Sequence, residues 1–385
     1  MIYTYGITQQ GTYHVKHGLI CQDAHNIIKC DESYVIAAVA DGLGSEEHSD
    51  IASQMAAKIS TEYCAENIKD DCSDEQIMEI IRDSFALAQS RIEKVATDNG
   101  HDLDQYDTTL SLAVFRGNAL YYGQSGDSGI VTLTAEGLYK KVVEQQRDEE
   151  GRVFPLYFGE DKWVFGKFPE PVVSVFLATD GMLETLFPVY IRNEPVNIYV
   201  ALARYFMGPD SLHIEESGED YVKEKVSEFM DSIPDAQVND DKTVVVMVNP
   251  DFEMKIQEPD YYAEPNWEEL RRRYEEAWKR AAYPHLFKDA ENDQEEIKNN
   301  MEANGGAGDE EDNDNSCSSV TRKSAGNEGA LSDETQDLKK VPCEGFINDE
   351  EQKGKTQIKY GAKLDKGKGV FKKLFSKSEN SPDTE

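Results

Sequence analysis

Paired cysteines, long apolar runs and an excess of basic charge are all missing from this sequence. The six cysteines, Cys21, Cys30, Cys64, Cys72, Cys317 and Cys343, are scattered, with no C-x-x-C and no spacing of the zinc-site kind. A disulfide framework is therefore excluded as the source of stability, and reduced thiols are expected. No run of 18 apolar residues occurs. The opening residues Met1 to Gly6 carry neither a basic nor an apolar signal region, so no membrane insertion or secretion is expected and the location is read as cytoplasmic. Lys and Arg total 40 against 75 Asp and Glu, a formal charge of -35. Such a surface repels a nucleic-acid backbone and favours divalent cations. A glycine-rich nucleotide cradle of the G-x-x-x-x-G-K-[ST] type is absent too, as is a cysteine-based phosphate loop.

What is present changes character along the 385 residues. Apolar runs of strand and helix type continue to about Asn249, whereas beyond about Asp289 the chain is mostly Glu, Asp, Asn, Gly, Ser and Lys. This divides the chain into a folded domain over 1–250, an amphipathic helical extension over 251–290, and a disordered, acidic then lysine-rich tail over 291–385. The extension repeats Trp267, Leu270, Tyr274, Trp278 and Ala281 at helical spacing within Pro265 to Ala282. The tail ends in a run from Lys353 to Lys377 with few apolar residues, which predicts a solvated segment.

Within the first 250 residues, Tyr34 to Ala40 is a continuous apolar run of the kind found in a strand buried on both faces, and it ends at Asp41-Gly42. Two amphipathic helices follow. The first covers 49–65 with Ile51, Met55, Ile59 and Tyr63, the second 74–96 with Ile77, Ile80, Ile81, Phe85, Ala88, Ile92 and Val95. A hairpin is expected from Thr108–Phe115 and Ala119–Gly123 around Arg116-Gly117-Asn118, and further strands at Gly129–Thr134, Val172–Ala178 and Thr243–Val248. Five aspartates, Asp23, Asp41, Asp127, Asp180 and Asp240, fall at the edges of these strands. A single Asp-Gly pair is ordinary turn chemistry. Five strand-edge carboxylates in one domain form an all-oxygen set of the type hard ions select, Mg²⁺ or Mn²⁺ rather than zinc.

The motifs Cys21-Gln22-Asp23-Ala24, Val39-Ala40-Asp41-Gly42-Leu43-Gly44-Ser45, Asp107-Thr108-Thr109-Leu110, Gly126-Asp127-Ser128-Gly129, Ala178-Thr179-Asp180-Gly181-Met182 and Asp240-Asp241-Lys242-Thr243 occur in this order. In that order they resemble the metal-dependent serine/threonine protein phosphatases of type 2C, in a bacterial-type form. The resemblance covers about residues 1–250. It implies an α+β fold, a four-layer αββα sandwich of two mostly antiparallel sheets flanked by helices. It implies two Mn²⁺ or Mg²⁺ ions at one end, with a third, weaker one. By the same resemblance Asp41 bridges both metals, Gly42 lends its carbonyl, Asp180 and Asp240 hold one ion, Asp23 acts through metal-bound water, and Asp127 serves the third ion. Asp23, Asp41, Asp180 and Asp240 are the catalytic set. The implied activity is hydrolysis of phosphoserine and phosphothreonine on proteins by a metal-activated water, opposing a Ser/Thr kinase.

Three positions depart from the family pattern. Gln22 stands where an acid is usual, Leu43 where some members carry a histidine, and Gly18 where the family has a phosphate-binding arginine. Lys16, the nearest permanent cation, is the candidate phosphate contact. The missing arginine also admits a different class of function, a phosphatase-like regulatory or binding module with little turnover. His14, His17, His25 and His48 lie near the motifs and are expected at the surface or behind the ligands. Arg147 and Arg152 are within reach of a substrate phosphate as alternatives to Lys16, but read first as solvated loop charges.

Overall fold

The computed structural model describes residues 1–30, 34–209, 211 and 213–286. The expected tail over 291–385 lies outside the described residues. The apolar run at 34–40 forms strand β3 (Tyr34–Asp41), and its two faces enter two different cores. Val35, Ala37 and Val39 point one way, into a cluster with Ala113, Phe115, Val175, Leu177, Val245 and Met247 that joins two sheets. Ile36, Ala38 and Ala40 point the other way, onto helices. Burial on both sides is why this strand reads as unbroken apolar sequence.

The strands build two five-stranded sheets, antiparallel throughout. One contains β1 (Tyr3–Gln9), β10 (Lys242–Val248), β9 (Val172–Ala178), β6 (Gly129–Thr134) and β7 (Tyr139–Lys141), in that order. The other contains β2 (Asp23–Cys30), β3, β4 (Leu110–Arg116), β5 (Ala119–Ser125) and β8 (Val164–Lys167). Helices α2 (Ser49–Asn67) and α3 (Asp74–Asn99) cover the outer face of the second sheet. Helices α4 (Asp180–Leu186), α5 (Val200–Met207) and α7 (Glu219–Asp231) cover the first. The expected α+β, four-layer αββα sandwich is the fold.

Helix α3 is set by local chemistry. Ser73 and Gln76 form a reciprocal capping box at its start, and Gly100 adopts a left-handed conformation (φ 73°) at its end. Its buried stripe, Ile77, Ile81, Phe85, Ala88, Ile92 and Ala96, follows the expected spacing closely. Helix α2 differs from the sequence reading. Its buried face is Ala52, Ala56, Ala57, Ser60 and Cys64, and Ile51 is 38% exposed. Small residues face the sheet here because the helix lies close against β2 and β3. Closeness selects volume over hydrophobicity.

The compact unit that carries every described strand extends to Leu270. Lys255 N donates to Ala135 O (2.8 Å), and Trp267 packs edge-on against buried Tyr199 with ring centroids 4.9 Å apart. Both Tyr199 and Trp267 donate to the Glu264 carboxylate, at 2.6 and 2.9 Å. Helix α8 (Trp267–Ala282) begins there. No helix among the described residues is long and apolar enough to cross a membrane.

Candidate active site

Strand ends decide where the acidic side chains go. In the antiparallel pair β2–β3, Asp23 at the start of one strand lies directly opposite Asp41 at the end of the other. Like charges facing across a ladder are unfavourable unless something compensates them. Asp180 opens α4 just beyond β9, and Asp240 precedes β10, the strand paired with β9. Asp127 sits in the turn from β5 to β6. All five carboxylates thereby reach the same end of the sandwich.

Their groupings are distinct. Asp41, Asp127 and Asp180 each offer a carboxylate oxygen within 4.8 Å of the others. Asp23 is buried behind them, and its Oδ2 accepts from Thr179 Oγ1 at 2.8 Å. Asp240 belongs to an adjoining group with His14 and Asp241. His14 is buried in α1 (Thr12–His17), with Nδ1 2.9 Å from Asp241 Oδ2 and Nε2 3.7 Å from Asp240 Oδ1. Asp241 also accepts from the backbone N–H groups of Gly11 and Gln22, each at 2.6 Å, so it ties α1 and the start of β2 to the start of β10.

Burial dominates the electrostatics. It raises the Asp41 carboxyl well above its ordinary range, and Asp23, Asp180, Asp127 and Asp240 push it further. Asp23 is likewise raised well up, by burial first and against the hydrogen bonds from Thr179 and Thr243. Burial and Asp180 lift Asp127 to about 7. Asp240 is raised more gently, again by burial first. Protein dipoles alone leave this cluster short of positive charge.

Gly42 fits the same picture. A Cβ there would come within 2.6 Å of Ser49 O and 2.8 Å of Gln22 O, so only glycine allows the chain to pass. The Gly42 N–H donates to Gln22 O, while its carbonyl accepts no hydrogen bond among the described residues. An oxygen left open beside buried carboxylates suits a hard cation.

Lys16 lies elsewhere. Its Nζ is 2.9 Å from Asp235, and its side chain is 64% exposed. His17 and His48 serve local contacts, His17 with Tyr13 O and His48 stacked on His101 with centroids 4.3 Å apart. His25 hydrogen-bonds Thr8, and burial lowers its ring to about 4. The cation that does meet the cluster is Arg147, read from sequence as solvated. Its Nη2 is 2.6 Å from Asp127, 3.3 Å from Asp180 and 3.5 Å from Glu184. Arg152 behaves as expected, paired at the surface with Asp148 and Glu150.

Residues 10–210, just over half the chain, match the protein phosphatase 2C family. The chain belongs to that family. Solved structures of similar fold include a bacterial serine phosphatase, at 12% identity and TM-score 0.45, covering 67% of this chain and 100% of its own. The serine/threonine phosphatase Stp1 from Staphylococcus aureus matches at 13% identity and TM-score 0.44, covering 64% of this chain and 95% of that one. The S. agalactiae serine/threonine phosphatase matches at 15% identity and TM-score 0.44, covering 65% and 100%. No curated protein gives a significant match.

Proposed function

We propose that this phosphatase 2C chain hydrolyses phosphoserine and phosphothreonine monoesters on proteins, opposing a Ser/Thr kinase, with Mn²⁺ or Mg²⁺ as cofactor. One observation carries the reading. Five carboxylates from five chain segments meet at one end of the sandwich, and Arg147 is the only described cation in ion-pair contact with the Asp41, Asp127 and Asp180 group. Gathering like charges, with Asp23 and Asp127 buried and Asp41 and Asp180 half-buried, is costly unless cations offset it. The donor set is oxygen-rich and fits hard divalent ions.

In this proposal Asp41, the Gly42 carbonyl, Asp180 and Asp240 would hold the principal ions, Asp23 would act through water, and Asp127 would serve a third, weaker ion. Bound ions would supply Lewis-acid activation of the attacking water and neutralise charge on the phosphoryl group. The protein's part is positioning. Thr179 Oγ1 links Asp23 to the backbone N–H of Thr243, joining the two sheets behind the site. Thr109 Oγ1 accepts from Asp41 N–H and contacts Ser128 Oγ, which ties the end of β3 to the turn that carries Asp127. The proposed catalytic domain spans 1–250, with 251–270 as its brace. The setting remains the expected cytoplasm, where Cys21, Cys30, Cys64 and Cys72 stay thiols.

Hydrolysis of a generic phosphomonoester with and without Mn²⁺ tests the reading. Turnover should require the metal and vanish with EDTA. A chain that neither binds Mn²⁺ nor hydrolyses the ester overturns it. A second reading, a regulatory module with little turnover, draws on the same Arg147, whose guanidinium neutralises part of the cluster by itself. Tight phosphopeptide binding without hydrolysis in saturating Mn²⁺ would favour that reading.

A further inference from the structure

A phosphoryl group seated at the Asp41 and Asp180 cluster needs a cation for the oxygens that metal ions leave uncovered. Gly18, at the place of the family's arginine, is only the left-handed C-cap of α1 (φ 69°). Lys16 is drawn off to Asp235. Arg147 is the residue the fold delivers to the cluster, and a set of tethers explains how. Its neighbour Gln146 accepts from Gly126 N–H through Oε1 (2.9 Å) and donates its own N–H to Gly126 O (3.0 Å). Gln145 Nε2 donates to Asp127 O at 2.8 Å. The loop is thus sewn to the turn that bears Asp127. Gly126, with φ 96° and a Cβ position 2.5 Å from Thr109, gives that turn its shape.

The guanidinium is used at one atom. Every ion-pair contact to Asp127, Asp180 and Glu184 passes through Nη2. Nε and Nη1 make no hydrogen bond or ion pair with any described residue, and the side chain is 38% exposed. An arginine whose whole task was to neutralise carboxylates would gain from a bidentate grip on one of them. This one is held at one corner, which leaves Nη1 at the open end of the guanidinium to donate to a phosphoryl oxygen.

We propose that Arg147 is the phosphoryl-binding residue of this site, anchored through Nη2 at Asp127 and giving Nη1 to a phosphoryl oxygen. The inference rests on the phosphatase reading above. It makes the substrate contact come from the loop after β7 rather than from the segment before β2.

The test is calorimetric titration of inorganic phosphate into the full chain in saturating Mg²⁺. Arg147→Gln should weaken phosphate binding about tenfold, the loss of one charged hydrogen-bonding partner. It should raise KM for a phosphopeptide more than it lowers kcat. Arg147→Lys should recover part of the loss, since it restores charge without the fork. Arg152→Gln, a surface control on the same loop, should change neither quantity. Arg147→Gln that binds Mg²⁺ more tightly yet holds phosphate like the wild type would reduce Arg147 to charge compensation and overturn the inference. So would a loss of phosphate binding in Lys16→Ala with none in Arg147→Gln. A wild-type chain that takes up no Mg²⁺ would instead bring down the phosphatase reading on which the inference stands.

Discussion

The two ends of the sandwich use the same strands in opposite ways. At the end away from the acids, most polar groups find neutral partners, although the buried Ser174 Oγ has none. Tyr34 OH donates to Ile68 O at 3.0 Å, and Asn249 Nδ2 donates to Gly117 O at 2.9 Å. Val172 N–H meets Asn118 O at 2.8 Å, and Arg116 reaches Asp70 O. The Asn249 and Val172 bonds join the β4–β5 turn to the ends of β10 and β9, and the Tyr34 and Arg116 bonds tie β3 and β4 to the segment after α2. At the other end, Asp23 faces Asp41, and the cluster with Asp127 and Asp180 has one guanidinium among its carboxylates. A fold violates its own rules of satisfaction where it has chemistry to perform and obeys them elsewhere.

Substitutions at the two ends should therefore diverge. Replacing Asp41 or Asp180 by Ala should lower phosphomonoester turnover by about 10²-fold or more, because each would remove a hold on an ion that supplies several kcal/mol of charge stabilisation. The same Asp41→Ala protein should melt at a higher temperature than wild type in EDTA, since a buried repulsive charge is gone. Steady-state rates and thermal scans on one preparation check both parts. A variant with normal turnover would remove that residue from the site.

The acidic end should also set the response to pH. Asp127 has a folded pKa of about 7, and Asp23 and Asp41 are raised as well, against about 4 in an unfolded chain. The metal-free native state then holds more protons than the unfolded one between those values. The contribution of these groups to stability is fully present below about pH 4 and is lost as pH rises through 7. Mn²⁺, which favours the ionised carboxylates, should reverse the trend. Melting temperatures at pH 5.5 and 8, each with EDTA and with Mn²⁺, give the sign directly. A metal-free protein more stable at pH 8 would contradict the charge shortage described here.

At the satisfied end, Asn249→Ala should cost about 2 kcal/mol of stability by leaving Gly117 O unpaired, with kcat and Mn²⁺ affinity unchanged. Denaturant unfolding measures the first, steady-state kinetics the second. The smallest effect is expected at the sequence-level phosphate candidate. With Lys16 exposed and paired to Asp235, the pair itself contributes well under about 1 kcal/mol.

Much of this was legible in the sequence because it is local. A strand buried on both faces must be apolar throughout, so Tyr34–Asp41 declared itself, and the acids at strand ends followed from where apolar runs stop. Helix α3 was legible through its spacing. Helix α2 was misjudged on its inner face, since contact with a sheet at close range is a tertiary demand that favours Ala and Ser. Arg147 was legible only as one of two loop cations able to reach a phosphate, for a related reason. Nothing near it in sequence announces a site, and its place depends on Gln145 and Gln146 reaching back some twenty residues to the turn at Gly126 and Asp127. Asp241 was visible as half of an acidic pair, yet its service to the N–H groups of Gly11 and Gln22 belongs to contacts across more than 200 positions.

The pairing of β1 with β10 carries a consequence for biosynthesis. Residues 3–9 wait for residues 242–248 before their sheet can close, and Asp240 arrives immediately ahead of that last strand. At a translation speed of about 5 to 20 residues per second, the interval lasts roughly ten seconds or more. Once Asp180 has been made, the nascent chain has four of its five acids and still lacks Asp240. On the proposed phosphatase reading, a product truncated before β10 should be inert, since it lacks both Asp240 and the partner of β1.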